Sequence, residues 1–370
     1  MEGEIISLSN LTFKSDISRF AVSSNVDFRV FFGNNTVFNA EIYKISAILA
    51  SVIYAVATLD DQSAEGVLKL LGMNNIKRYR VRGSDYNNHI SEMVIGYRDV
   101  TYGIHSKRIF STIIRGTQTT VEEWLSNFDI GANHEFWDDV DNHKGFDIAA
   151  SSFKNRIEEY IKANASTSAD TVFWFCGHSR GAAISDILAA KFSGKYDVFA
   201  YNFAVPNTTT SSQKGSFKNI FNIINSEDLV PMIPFEEWGY GRYGKSCFFS
   251  FSSNKNAVNM FKAYTNKKYP CDNTKSKVKK ISEILLKMFP DKELFASERT
   301  AGLFKEVAAS LLAGKDIIPI LAKAAYDGRI RISPLDIVKL IPKIPDLFAK
   351  DLKESIEFAH RPDTYVIAAL

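Results

Sequence analysis

The stretch TVFWFCGHSRGAAISDILAA, residues 171–190, constrains the fold more than any other part of the chain. It opens on an unbroken apolar run, Val172 to Cys176, of the length and composition of a strand buried on both faces. It then turns through Gly177-His178-Ser179-Arg180-Gly181, after which Ala182, Ala183, Ile184, Ile187 and Leu188 recur as one face of a helix. A strand, a tight turn and a helix with serine at the apex predict an elbow. The serine backbone is strained, its Oγ stands clear of the sheet, and the next main-chain N–H, that of Arg180, sits at the positive end of a helix. Glycine flanks the serine because a side chain at either position would collide with the neighbouring strand or helix. An ordinary strand-to-helix turn is the plainer reading of the five residues alone, and the flanking elements favour the elbow.

Composition narrows what surrounds this elbow. The chain has 370 residues, 45% hydrophobic and 24% charged, enough for a large core and unlike a disordered sequence. A net charge of +3 is too mild to imply a nucleic-acid partner. The three cysteines, Cys176, Cys247 and Cys271, lack metal-ligand spacing, and Cys247 to Cys271 is the one plausible disulfide. MEGEIISLSNLTF has no basic n-region, apolar h-region or small-residue cleavage site, so a cytoplasmic location is the default expectation, with a secreted, trimmed chain as the alternative. Residues 42–59 are apolar but carry Lys44 and fall short of about twenty apolar residues, so they read as a buried helix.

The remaining candidates follow from strand ends. Residues 78–82, 93–100 and 108–114 cluster or alternate β-formers. The last of these runs into Arg115-Gly116-Thr117, where a second backbone donor for an oxyanion hole is needed, although a plain turn at Gly116 also fits. His143 precedes a helix whose apolar positions are Phe146, Ala149, Phe153, Ile157 and Ile161, and either lines a cleft or is a structural histidine. Past the elbow, residues 196–205 and 219–225 read as buried strands. The second ends in Ser226-Glu227-Asp228, placing an acid beyond the carboxyl end of a strand. Asp228 is the candidate orienting acid and Glu227 its competitor. Where a serine of this kind works with an acid and a histidine, the chain order is serine, acid, histidine. Of the six histidines only His360 follows Asp228. His178 adjoins the serine and is expected to point away from it, and His143 and His178 complete the candidates for lining the site.

Taken in order, the segments IIRGT, HKGF, GHSRGAA, NFAVP, NSEDLVPMIP and AHRPDTY resemble the class 3 lipases, the fungal-type triacylglycerol lipases of the α/β-hydrolase superfamily. The resemblance spans roughly residues 80–240 and the last dozen. It implies an α/β-hydrolase fold with a mostly parallel central sheet flanked by helices. It also implies Ser179 as nucleophile, Asp228 as acid, His360 as base, and the main-chain amides of Thr117 and Arg180 as the oxyanion hole. The segment from Gln118 to Phe128, with Glu122, Glu123 and Trp124, corresponds to the family's lid. Two departures stand out. Leucine is usual in the family where Arg180 stands here, so a guanidinium lies near the hole and would pair with Glu122 or Glu123 or recognise an anionic head group. The interval from Asp228 to His360 is also long for the family.

That interval reads as a helical insertion. Lysines crowd residues 255–287 against only Asp272 and Glu283, and apolar-faced pieces follow, broken by Pro319, Pro342 and Pro345. The expected organisation is a catalytic core over 1–245 and 351–370 with a helical, cap-like subdomain over 246–350. Its basic flank is either a solvated face over a wall of the acyl pocket or a contact for anionic lipid. The expected activity is hydrolysis of lipid carboxylic esters through an acyl-enzyme, with no metal and no cofactor. An esterase or phospholipase on smaller or charged esters, and a non-catalytic lipase-like binding module, are the alternatives.

Overall fold

The computed structural model describes residues 5–15, 17–55, 62–82, 90–116, 141–270, 318–327 and 357–370, with single helical positions between 276 and 307. Its centre is a seven-stranded sheet in the order β3-β4-β5-β6-β7-β8-β9. The first three, β3 (Asn74–Arg82), β4 (Ile90–Tyr102) and β5 (His105–Arg115), are antiparallel. From β5 onward β6 (Asp170–His178), β7 (Asp197–Phe203), β8 (Phe217–Asn225) and β9 (Gly244–Phe249) run parallel. Sequential parallel strands need crossovers on the sheet's faces. Helices α3 (Lys144–Ala163) and α4 (Arg180–Ser193) make two of them, and α1 (Ala40–Val52) and α2 (Ala64–Leu70) precede the sheet in the chain.

Both faces of β6 are buried, as its apolar run predicts. Val172, Trp174 and Cys176 join one core cluster with α1 (Ala40–Val52) and the C-terminal helix α7 (Pro362–Ala369). Phe173 and Phe175 join the other, with α3 and α4. Each such large side chain contributes about 1.5–3 kcal/mol by leaving water. The one polar atom that Trp174 buries is satisfied, its Nε1 donating to Ser46 Oγ at 2.8 Å. Helix α1 starts where Asn39 caps it by accepting from the Ile42 N–H, and its Ile42, Ile45, Ile48 and Leu49 are buried. It is thus the buried helix expected from residues 42–59 as far as Val52. Among the described residues no helix is long and apolar enough to cross a membrane.

An N-terminal hairpin, β1 (Ile5–Lys14) and β2 (Arg19–Asp27), packs against the same face as α1. It grips the C-terminus: Ser15 Oγ and Ser18 Oγ both donate to Asp363 Oδ1, and Phe20 stacks on Tyr264 of α5 (Lys255–Thr265) with ring centroids 4.3 Å apart. The hairpin and α1 therefore hold the segment that carries His360.

Two expectations are corrected here. Cys247 is a free thiol on β9, so the Cys247–Cys271 disulfide is not formed. Cys176, by contrast, is sealed inside the sheet, and burial pushes its thiol pKa up. A boundary at residue 246 also falls inside β9, which is paired to β8 through Ile223–Cys247 and Asn225–Phe249, so the sheet continues to Phe249. Of the insertion, α5 and α6 (Ile318–Tyr326) are described and most of the remainder lies outside the described residues.

Candidate active site

The parallel register brings the carboxyl ends of β5, β6 and β8 together. Ile114 pairs with Gly177, so the residues after each strand, Gly116 and Ser179, emerge side by side. Ser179 has φ 58 and ψ −130, a conformation unfavourable for any residue with a Cβ, and it separates β6 from α4. Close packing explains the flanking glycines. A Cβ on Gly177 would meet the Gly181 carbonyl oxygen at 2.6 Å, and one on Gly181 would meet the Ile114 oxygen at 2.2 Å. The strained residue is held from both sides, because its N–H donates to Phe203 O at 2.9 Å and its carbonyl accepts from Ala182 and Ala183.

Three side chains meet at this corner. Ser179 Oγ lies 2.9 Å from His360 Nε2, and His360 Nδ1 lies 2.8 Å from Asp228 Oδ2. A carboxylate only accepts, so Nδ1 carries the proton and Nε2 is left to accept from the serine hydroxyl. Asp228 is fully buried, and its other oxygen accepts from the Val230 N–H at 3.0 Å. The Tyr365 hydroxyl donates to Asp228 Oδ2 at 3.0 Å and accepts from the Asn225 N–H at 3.1 Å. Burial, with the Asp228 charge beside it, drives the Tyr365 pKa well above its usual value, so it remains a donor.

Glu227, the competing acid, faces away from His360. It is buried and satisfied by Ser250 Oγ, by the Ser252 amide and hydroxyl, and by the Tyr269 hydroxyl. His143 precedes α3 with its ring stacked on Phe146, centroids 4.1 Å apart, and is wholly buried. The Arg180 guanidinium donates to the Gly145 carbonyl at 3.0 Å and is 4% exposed, so the side chain lies against the start of α3 while its main-chain N–H opens α4. Thr117, Glu122, Glu123 and Trp124 lie outside the described residues.

Beneath the elbow, Asp186 of α4 is fully buried and accepts from Thr208 Oγ1 (2.7 Å), Asn222 Nδ2 (3.0 Å) and the Tyr243 N–H (3.0 Å). Burial raises its pKa even so. Arg242 beside it donates to the carbonyls of Val205 and Pro231, and burial pulls its pKa down to about 10. These polar groups tie the strand ends to the turn after Asp228, and no motif in the sequence marks them.

His178 packs edge-on against Tyr54 and Tyr365 and at a tilt to His360. Burial, then the neighbouring His360, holds its pKa well below 6.5. Above pH 6.5 it is neutral in both folded and unfolded chains and adds no pH dependence. Below 6.5 the unfolded chain binds a proton that the folded one does not, so stability falls with pH by up to about 1.4 kcal/mol per unit. His178→Gln is therefore expected to flatten the decline of the urea midpoint below pH 6.5, and an unchanged slope would contradict a neutral buried His178.

Comparison with known proteins comes to bear on this geometry. Residues 111–238 match the family model for lipase (class 3). Over those 128 of its 370 residues the chain is similar to the class 3 lipases. The matched segment takes in the end of β5, α3, β6, the elbow, α4, β7, β8 and Asp228, and a mostly parallel sheet with a nucleophile elbow after β6 is the arrangement of an α/β-hydrolase fold. Among solved structures, the lipase from Rhizopus microsporus var. chinensis is 13% identical with a TM-score of 0.40, over 58% of this chain and 76% of that one. A Yarrowia lipolytica lipase is 18% identical, TM-score 0.39, over 57% and 79%. The mono- and diacylglycerol lipase from Aspergillus oryzae is 19% identical, TM-score 0.39, over 55% and 77%.

Proposed function

We propose that this class 3 lipase-like chain cleaves carboxylic esters of lipids in two acyl-transfer steps, with Ser179 as nucleophile, His360 as general base and acid, and Asp228 as the orienting acid. The observation that carries the proposal is the pair of contacts at 2.9 and 2.8 Å that joins the three residues at a strained elbow. The family match ends at residue 238, so His360 enters on geometry, chain order and the AHRPDTY segment around it.

In the first step His360 Nε2 takes the Ser179 proton as Oγ bonds to the ester carbonyl carbon, whose oxygen becomes the oxyanion. The main-chain N–H of Arg180, at the positive end of α4, and that of Thr117 stabilise the charge. Collapse expels the alcohol, which leaves with the proton from His360. Water then gives its proton to the same nitrogen and attacks the acyl-enzyme, releasing the fatty acid and restoring Ser179. Asp228 stabilises the imidazolium in both steps, and Tyr365 holds the carboxylate oriented.

The test is labelling of the full chain with a fluorophosphonate, followed by mapping of the adduct and a nitrophenyl-ester series of rising acyl length, with and without detergent micelles. An adduct on the peptide containing Ser179 and a preference for long acyl chains are expected. Preference for short or charged esters would move the substrate to a small-ester esterase or a phospholipase. Silence toward the probe under both conditions would make the chain a lipase-like binding module.

A further inference from the structure

We propose that His178 and Tyr54 are positioning residues, which hold the main chain of His360 at the height where its ring meets Ser179 and tie that height to Gly116 at the end of β5. The inference rests on the catalytic reading of Ser179 and His360 and adds two residues to it.

The helix that bears His360 is broken just after it. Residues 357–360 are helical, Arg361 is not, and α7 restarts at Pro362, so the regular bonding pattern is interrupted. The Thr364 N–H, which a continuous helix would give to the His360 carbonyl, goes to Arg361 O instead, at 3.1 Å. The His360 carbonyl faces His178 Nε2 at 2.9 Å. A carbonyl only accepts, so this nitrogen carries the proton. The neutral ring then presents a bare Nδ1, which accepts from the Tyr54 hydroxyl at 3.0 Å. Neutrality follows from the site: His178 is 2% exposed, and its ring centroid is 5.0 Å from that of His360, which takes up a proton in each turnover. A second positive charge there would oppose the first.

The Tyr54 hydroxyl also serves the oxyanion side. A Cβ built on Gly116 would stand 2.3 Å from the Tyr54 oxygen and 2.6 Å from the His178 carbonyl oxygen, so the Gly116 backbone lies directly on this pair. One phenol therefore packs on Gly116 and bonds to the last residue of β6, and through it to the main chain of the base. Displacing a reacting group by about 1 Å costs on the order of 100-fold in rate, which sets the scale for losing this tie.

The experiment measures kcat and KM for nitrophenyl butyrate, fluorophosphonate labelling rate and thermal unfolding for the full chain and for His178→Phe, His178→Gln and Tyr54→Phe. The expected result is a kcat loss of about 10- to 100-fold in His178→Phe with KM changed less than about twofold. His178→Gln, whose side-chain N–H reaches the same carbonyl, is expected to recover most of the loss, and Tyr54→Phe to lose about 10-fold in kcat. Wild-type kcat in folded His178→Phe would overturn the inference, as would His178→Gln performing no better than the phenylalanine. Should His178→Phe fail to fold, an unchanged kcat in Tyr54→Phe overturns it instead. A wild-type chain that resists the probe defeats the catalytic reading and this inference together, whereas a labelled wild type with unaffected variants defeats this inference alone.

Discussion

Ser179→Ala is expected to lose ester turnover by about six orders of magnitude, the scale seen when a triad nucleophile is removed, while the protein stays folded. The substitution deletes one oxygen, whose bond in the structure is the 2.9 Å contact to His360 Nε2. Nothing that holds the elbow depends on that oxygen: the Ser179 N–H to Phe203 O bond and the bonds from Ala182 and Ala183 to the Ser179 carbonyl are main-chain. The residue's φ of 58 and ψ of −130 store strain of about 1–3 kcal/mol, and alanine leaves it in place. Ser179→Gly relieves it, at a cost of about 0.5–1 kcal/mol in extra backbone freedom of the unfolded chain. The glycine variant is therefore expected to be inactive and more stable than the alanine variant by about 1 kcal/mol. Urea unfolding and nitrophenyl-ester turnover on the same preparations check both halves. Turnover retained by folded Ser179→Ala would remove Ser179 from the mechanism, and an alanine variant more stable than the glycine one would remove the strain.

The elbow was legible because its chemistry and its packing use the same residues: an apolar run long enough for a strand, glycines where backbones touch, and a helical face behind. Asp228 and His360 were legible through the order of a triad along the chain, helped by the place of Asp228 beyond a buried strand and by the AHRPDTY segment around His360. What the sequence hid falls into two kinds. Tyr54, Tyr365 and Tyr269 look like core aromatics among fifteen tyrosines, and only the fold reveals that their hydroxyls meet His178, Asp228 and Glu227. Tyr365 lies five residues beyond His360 in the terminal motif, the one signal that singles it out. The β1–β2 hairpin is the second kind. Its buried positions Phe20, Val22, Ser24 and Val26 alternate as a strand should, but serine at an inward site breaks the hydrophobic alternation from which a strand is read. On the residue after the nucleophile, the Arg180 guanidinium reaches the Gly145 carbonyl at the start of α3, a contact that no motif marks.

The adjacent acids give the second large effect. Asp228→Asn is expected to lower kcat by about 10,000-fold, because an amide in place of the carboxylate turns a donor toward His360 Nδ1 and favours the wrong tautomer. Tyr365 sharpens the expectation. Its hydroxyl and the His360 ring both donate to Asp228 Oδ2, and the Val230 N–H donates to Oδ1 at 3.0 Å. An asparagine NH2 must therefore face a donor whichever way the amide is turned. Turned toward Val230 it sets N–H against N–H; turned the other way it confronts both Tyr365 and His360. Glu227→Gln disturbs a different set of partners. Three of the groups facing Glu227, on Ser250, Ser252 and Tyr269, are hydroxyls that can rotate to accept. The loss there is expected in stability, about 1–3 kcal/mol for a buried carboxylate's bonds, with kcat changed less than about tenfold. Steady-state kinetics and urea unfolding on both variants separate the two roles. A severe kcat loss in Glu227→Gln with little in Asp228→Asn would move the orienting acid back by one residue and break the geometry through His360 Nδ1 on which the mechanism is built.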